Sequence, residues 1–451
     1  MPPLPLIPHP VSVELREGWY AAYDEIATAL DETLPPEGYR LEVEPDGIRI
    51  TAADPAGAFY AGVTLNQLRT DHGIPFVTIE DHPRFAYRGA MLDVARHFFT
   101  VEQVQRYLDQ LALLKINHLH LHLTDDQGWR IEITSWPELT RAGAATQVGG
   151  VAGEPTDAEG GLFYTQDDYR RIVEYAAERF ITIVPEIDLP GHTNAAIVAY
   201  PELNGGDSPA APYEGIEVGF STLAIGSPRT YEFVRDVVAE VAAITPGPYL
   251  HLGGDESLST SDEDFLAFIA RATAIGAASG KTIIGWHEMG RSRELPVGTV
   301  GQYWDYVEPR GDAGAHTRSF VEQGGSVILS PADVAYLDMK YDDDSPLGLV
   351  WANGPTTVQQ SYEWEPADVI PGLAEHDILG LEAPLWTETN TTSADLESMA
   401  FPRIASIAEL AWSPKGASDW EHFRERLAGF GRRMDAAGIN FYRSPDVDCL
   451  G

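Results

Sequence analysis

Tyr249-Leu-His-Leu-Gly-Gly-Asp-Glu256 is where the architecture of this chain first shows. Tyr249 to Leu252 alternates as a short strand does, and two glycines end it. Two adjacent carboxylates, Asp255 and Glu256, follow at once. Glycine lets a backbone turn sharply and lets other atoms approach closely, so this strand end can deliver both acids into a cleft. An acidic loop is also an ordinary solvated turn. Its meaning depends on what the neighbouring strands bring to the same place.

On both sides of this octapeptide, from Arg84 onward, strand and helix patterns alternate. Strands are predicted at Tyr87–Val94, Asn117–Leu123, Ile181–Ile187, Tyr249–Leu252, Thr282–Trp286, Thr299–Tyr303, Ser326–Leu329 and Ile378–Glu382. Helices are predicted at Val101–Leu114, Gln166–Arg179, Pro228–Ala243, Ser261–Ser279 and Ala315–Gln323. Ser227-Pro228 is an N-cap followed by proline at the first helical position, and Phe233, Val234, Val237, Val238 and Val241 then repeat on one face. Eight such strands over residues 85–451 predict an α/β chain, a (β/α)₈ TIM barrel with long βα loops. An open doubly wound sheet is the competitor, but no G-x-G-x-x-G or Walker loop follows any strand. The acidic, glycine-rich Gly149–Gly161 reads as an excursion between the second strand and the next helix.

Residues 1–84 read as a small α+β N-terminal domain. Trp19–Leu34 has apolar residues near helical spacing. Tyr39–Val43 and Ile48–Thr51 flank a Pro-Asp-Gly turn as a hairpin, and Gly57–Arg69 reads as a helix. No acid–base cluster falls here, so its expected role is scaffolding.

The formal net charge of −39 argues against nucleic acid and anionic membranes as partners, since both want basic patches. With 44% hydrophobic residues among 451, the chain can bury a large core. Only four of its 30 basic residues are lysines, a skew that codon bias and salt adaptation explain equally well. Cys449 is the sole cysteine, so no intrachain disulfide and no cysteine-based zinc site is expected. Met1-Pro-Pro-Leu-Pro-Leu-Ile-Pro8 lacks the basic and apolar regions of a signal peptide, and no run is long enough to span a bilayer. The chain as given reads as cytoplasmic.

In a barrel of this kind the chemistry sits at the C-terminal ends of the strands. Those ends carry Asp93 and Arg96, then Asp125, then Glu186, Asp188 and His192, then Asp255 and Glu256. Trp286 follows on the fifth strand, Trp304 and Asp305 on the sixth. Tyr336, Asp338 and, further along, Trp364 follow the seventh, and Trp386 and Glu388 the eighth. Indoles cover the C–H faces of a pyranose while acids and an arginine take its hydroxyls, so the set describes a sugar site. Singly, each has a plainer use: Trp286 and Trp304 as barrel core, Arg96 as a bridge to Asp93, Asp125 and His192 as loop caps, Tyr336 as a half-buried phenol. His118, His120 and His122 share one face of the second strand and resemble metal ligands. They lie along the strand with only His122 near the rim, which favours packed interior histidines.

The stretches Arg88-Gly-Ala-Met-Leu-Asp-Val-Ala-Arg-His-Phe-Phe, Leu119-His-Leu-His-Leu-Thr-Asp-Asp-Gln-Gly-Trp-Arg, Pro185-Glu-Ile-Asp-Leu-Pro-Gly-His and His251-Leu-Gly-Gly-Asp-Glu resemble glycoside hydrolase family 20, the β-N-acetylhexosaminidases. Gly285-Trp-His, Gln302-Tyr-Trp, Tyr336-Leu-Asp-Met-Lys-Tyr and Glu382-Ala-Pro-Leu-Trp-Thr-Glu match as well. The N-terminal unit is shorter than the family's usual one.

The resemblance implies exo-hydrolysis of terminal β-linked GlcNAc or GalNAc from an oligosaccharide, with retention and without cofactor or metal. It implies substrate assistance, in which the 2-acetamido oxygen attacks C1, rather than the two-carboxylate scheme. Adjacent residues at a strand end point in different directions, which suits that scheme poorly. By the same resemblance Glu256 is the acid and base, Asp255 holds the acetamido N–H, and Tyr336 holds its oxygen. Trp286, Trp304 and Trp386 form the acetamido pocket, Arg96 and Glu388 bind ring hydroxyls, and Asp338 assists. Trp364 stacks on the +1 group, and Asp125 with His192 orients Glu256. A sugar-binding module, a metal-dependent hydrolase and a two-carboxylate glucosaminidase are the rival readings.

Overall fold

The computed structural model describes residues 4–21, 26–150, 161–206, 209–417 and 419–447. Cys449 and residues 151–160 of the glycine-rich excursion lie outside the described residues. The N-terminal unit holds β1 (Ser12–Tyr20), β2 (Ile26–Leu30), β3 (Tyr39–Glu44), β4 (Gly47–Ala52), α1 (Pro55–Leu68) and β5 (Ile74–Asp81). Its strands form one sheet in the order β1-β5-β3-β4-β2. The hairpin β3–β4 and the helix stand where the sequence places them.

The helical reading of Trp19–Leu34 does not hold. Its ends belong to β1, antiparallel to β5, and to β2, parallel to β4. Both are edge strands with largely exposed side chains, including Trp19 and Leu30. Backbone hydrogen bonds to the sheet, rather than an apolar face, set their conformation, so side-chain periodicity misleads here. The sequence reading also passed over β5, which lies between β1 and β3.

Eight parallel strands then close on themselves in chain order: β6 (Tyr87–Asp93), β7 (His118–His122), β8 (Thr182–Glu186), β9 (Tyr249–His251), β10 (Thr282–Trp286), β11 (Val300–Tyr303), β12 (Ser326–Leu329) and β13 (Ile378–Leu385). β13 pairs with β6 from Gly380↔Tyr87 to Leu385↔Leu92, which closes the barrel. All seven residues of β6 are buried, as a strand covered on both faces requires. The outer helices include α2 (Val101–Ala112), α3 (Gln166–Ala177), α4 (Pro228–Ile244), α5 (Asp262–Ala278), α6 (Ala313–Glu322), α7 (Arg403–Trp412) and α8 (Trp420–Ala436). Thr100 and Thr165 cap α2 and α3 through reciprocal bonds with Gln103 and Asp168. Between β10 and β11 the connection is only a 3₁₀ turn, His287–Arg291.

The N-terminal sheet is tied to the rest of the chain by buried polar groups. Lys115 Nζ lies 2.8 Å from Asp81 Oδ2 and 2.9 Å from Tyr39 Oη, while Trp412 Nε1 donates to Asp81 Oδ1 at 2.9 Å. Trp412, at the end of α7, packs within the apolar core of the N-terminal sheet. No helix of the described residues is long and apolar enough to cross a membrane.

Candidate active site

After His251 the chain leaves the barrel through Leu252, Gly253 and Gly254, with φ of +64° and +100° at the glycines. A Cβ on Gly253 would stand 1.7 Å from Asp188 Oδ1, and one on Gly254 2.6 Å from Met289 Cγ. The space taken by any side chain here belongs to neighbouring strand ends, so only glycine fits. Gly254 N–H donates to Asp188 at 3.1 Å. Glu256 and His192 are themselves left-handed, at φ +40° and +53°. Non-glycine residues so held cost roughly 1–3 kcal/mol each, a strain that collects at functional sites.

A cavity of about 320 Å³ opens at this end of the barrel. Small-molecule pockets span roughly 300–1,000 Å³, so the volume suits one sugar ring. Eleven of the residues singled out in the sequence line it: Arg96, Asp125, Asp188, His192, Asp255, Glu256, Trp304, Tyr336, Asp338, Trp386 and Glu388. The two adjacent acids differ in exposure, 11% for the Asp255 side chain and 34% for that of Glu256. One faces inward while the other reaches the mouth. Tyr336 and Trp386 pack at 6.2 Å, and Arg96 lies over the Trp386 ring at 4.8 Å.

The lining is short of hydrogen-bond partners. At normal geometry Asp338 Oδ1 and Oδ2, Glu388 Oε2, Asp255 Oδ1, Asp188 Oδ2, His192 Nε2 and Arg96 Nη1 form no hydrogen bond among the described residues. Buried polar groups are otherwise satisfied almost everywhere in proteins, so this concentration marks a surface shaped for a polyhydroxylated ligand.

Burial pushes Asp255 up to about 7, against the pull of His192. Burial and the Asp255 charge raise Asp188 well above the usual range. Burial raises Asp338 in the same way, with Glu388 adding to it. For His192 burial opposes the charged ring, but Asp125, Asp255 and Asp188 outweigh it and hold the ring well above the usual histidine range.

Family models for the glycosyl hydrolase family 20 catalytic domain match residues 85–264 and 257–415, and the model for that family's domain 2 matches residues 10–82. The chain belongs to glycosyl hydrolase family 20. A β-N-acetylhexosaminidase of Cellulomonas fimi is 43% identical over 450 residues, covering 98% of this chain and 87% of its own. A family 20 β-N-acetylglucosaminidase structure superposes with a TM-score of 0.91 at 46% identity, over 98% of this chain and 99% of the other. The Streptomyces plicatus N-acetyl-β-hexosaminidase in complex with Thio-NAglucal gives 0.92 at 43%, over 98% and 97%.

Two of the tryptophans assigned from the resemblance to family 20 lie outside the cavity lining. Trp286 is 1% exposed and lies beneath Trp386 at 6.1 Å, its indole N–H donating to Glu186 at 3.0 Å. It supports the pocket floor from below. Trp364 is a correction: it sits in the main apolar core and donates to the Ser361 carbonyl at 3.0 Å. Trp351, 44% exposed, stands at the mouth instead, 6.2 Å from Trp304 and 5.7 Å from Tyr336. Both indoles lie in the long stretch between β12 and β13, and spacing alone does not tell which one folds back.

Glu288 was also passed over. It follows the Gly285-Trp-His motif directly and takes the Trp304 indole N–H at 3.0 Å on both oxygens. Burial, with Glu256 adding to it, pushes it up to about 8.

The three histidines of β7 face the barrel interior. His118 stacks on Tyr87 at 4.0 Å, and both ring nitrogens of His120 and of His122 face carboxylate oxygens. Nearer the pocket, Asp188, His192 and Asp255 bring ligand-type atoms within 4.8 Å of one another, but the His192 ring, held charged by these acids, has no lone pair to give a metal.

Proposed function

We propose a division of labour among these side chains for the chemistry of the family. The chain is a β-N-acetylhexosaminidase, a retaining exo-glycosidase working by substrate assistance. Asp255 and Glu256 sit side by side on one turn, one buried and one reaching the mouth, so they serve two different atoms of one sugar. That burial split is the observation that carries the assignment.

The terminal N-acetylhexosamine lies with its acetamido group against Trp304 and Trp386, above Trp286. Tyr336 donates to the acetamido oxygen, and Asp255 accepts from its N–H. Water-excluding walls keep that oxygen close to C1 and strengthen both contacts. The oxygen attacks C1 while Glu256 gives its proton to the glycosidic oxygen, and the C1–O bond breaks. The oxazolinium ion carries its charge beside the Asp255 carboxylate. Glu256, now a carboxylate, takes a proton from water, whose oxygen adds to C1 from the face the aglycone left while the bond from C1 to the acetamido oxygen breaks and its electrons return the acetamide. The β configuration and the acid are both restored.

Arg96 and Glu388 take ring hydroxyls, with Asp338 assisting, which uses the atoms otherwise short of partners. Asp125 fixes His192, and His192 orients Glu256. Trp351 takes the +1 stacking role. A variant Streptomyces plicatus β-hexosaminidase is known in complex with its product GlcNAc, at 42% identity and a TM-score of 0.91 over 98% of this chain and 97% of the other.

The test is p-nitrophenol release from the β-GlcNAc glycoside with and without GlcNAc-thiazoline, a bicyclic mimic of the oxazolinium. Competitive block supports the assignment. Turnover that ignores the mimic removes substrate assistance, and no turnover on GlcNAc, GalNAc or disaccharide glycosides leaves a sugar-binding module.

A further inference from the structure

Below the pocket a buried line of acids and imidazoles runs through the barrel, and the steps above use only its last members. Glu382 on β13 accepts from Tyr87 Oη at 2.5 Å and Gln302 Nε2 at 2.6 Å, and its Oε1 faces His120 Nδ1 at 2.9 Å. His120 Nε2 lies 3.0 Å from Glu186 Oε2, an oxygen that also binds His122 Nδ1. His122 Nε2 lies 2.8 Å from Asp125 Oδ2, and Asp125 Oδ1 lies 3.1 Å from His192 Nδ1. The remaining oxygen of Glu186 takes the Trp286 N–H at 3.0 Å and faces His251 Nδ1 at 2.9 Å. The register explains the line, since β7 sets His122 opposite Glu186 and β8 sets Glu186 opposite His251.

A neutral imidazole has one N–H to give, yet both nitrogens of His120 and of His122 face carboxylates. Filling all four contacts requires two protons on each ring. Burial opposes those charges, but Glu382 and Glu186 hold His120 at about 9, and Glu186 and Asp125 hold His122 at about 10. Negative and positive groups therefore alternate from Glu382 to Asp125. Asp125 also binds Arg96 at 2.8 Å, so cations or N–H donors surround it. Such a carboxylate stays ionised and leaves the His192 Nδ1 proton in place. The other face of His192 meets Asp188, Asp255 and Glu256.

A buried ion ladder is a poor source of stability, because apolar packing of the same volume does as well or better. This one ends on the residues beside the acid. We propose that His122 and Glu186 are positioning residues of the reaction, holding Asp125, and through it His192, in the orientation and charge that proton transfer by Glu256 requires. The inference rests on the assignment of Glu256 as the acid.

The test compares wild type with His122→Gln, which cuts the link between Glu186 and Asp125, and with the isosteric Glu186→Gln. For chitobiose, kcat is expected to fall about 10- to 100-fold, part of the roughly 10²–10⁴-fold a general acid supplies. Read in kcat/KM, which stops at aglycone release and leaves out the water step, the loss should largely vanish with a dinitrophenyl glycoside, whose leaving group needs no proton, and the pH profile of kcat should move. GlcNAc-thiazoline should still bind stoichiometrically, with its Kd within about threefold. Folding of each variant is read from that stoichiometry, and either variant alone carries the test if the other does not fold. An unchanged kcat and pH profile overturns the proposal. So does an equal loss on both glycosides accompanied by lost thiazoline binding, which would make the ladder a scaffold only. If wild type turns over neither glycoside, the failure belongs to the hexosaminidase assignment and not to the ladder.

Discussion

His192 places its Nε2 3.6 Å from Glu256 Oε2 while Asp125 holds its Nδ1 at 3.1 Å. The imidazole thus has one nitrogen committed and the other facing the acid. Replacing Glu256 by Gln keeps that geometry and removes the proton donor. The kcat/KM for chitobiose, which stops at aglycone release, should fall by about 10²–10⁴-fold, and by much less for a dinitrophenyl glycoside. Steady-state kinetics on the two substrates checks this, and equal losses on both would remove Glu256 from the acid role.

Asp255 and Tyr336 are both buried, and each is assigned to the acetamido group rather than to the leaving group. Asp255→Asn and Tyr336→Phe should therefore lower kcat for good and poor leaving groups alike, while melting temperatures stay near wild type. GlcNAc-thiazoline should bind Asp255→Asn less tightly, since the mimic's ring nitrogen faces that carboxylate. A variant that keeps full activity would mean that the acetamido contacts are misplaced.

The barrel was legible because short apolar strand runs alternate with amphipathic helices, and several strand ends run into carboxylates or glycines. The residues around Asp255 follow from one glycine-ended strand. The edge strands β1 and β2 were not legible: backbone pairing with β5 and β4 sets them, while the spacing of apolar residues across Trp19–Leu34 points to a helix instead. Trp351 and Trp364 show the same limit within the site, since the fold of a long loop decides which indole reaches the mouth. Glu288 was hidden for another reason. Its role lies in a contact with Trp304, sixteen positions away, that no local pattern announces.

Glu288 gives a pH-dependent prediction. Burial raises its folded value to about 8 from a reference of 4.5, so the native state prefers the protonated carboxyl. Its contribution to stability is present below the unfolded value and is lost as pH rises toward the folded one. Glu288→Gln keeps an acceptor for the Trp304 N–H and cannot ionise. The melting temperature of the variant, relative to wild type, should therefore rise between about pH 5 and about pH 8. Calorimetry across that range checks it, and a flat difference would mean that Glu288 ionises as an ordinary surface carboxyl does.

The two indoles of the loop between β12 and β13 separate binding from folding. Trp351 is 44% exposed and packs edge-on against Trp304 and Tyr336 at the surface, so Trp351→Ala should leave the melting temperature nearly unchanged. Losing its stacking face should raise KM for a disaccharide by up to about fivefold, the equivalent of an aromatic contact near 1 kcal/mol. Trp364 is 8% exposed inside the main core. Trp364→Ala opens a cavity there and should cost about 3–5 kcal/mol of stability, with KM unchanged for the molecules that remain folded. Urea unfolding and disaccharide kinetics on both variants read the two effects independently. If Trp364→Ala raised KM and Trp351→Ala did not, the +1 assignment would return to Trp364, and the loop would have to close over the pocket differently when substrate is bound.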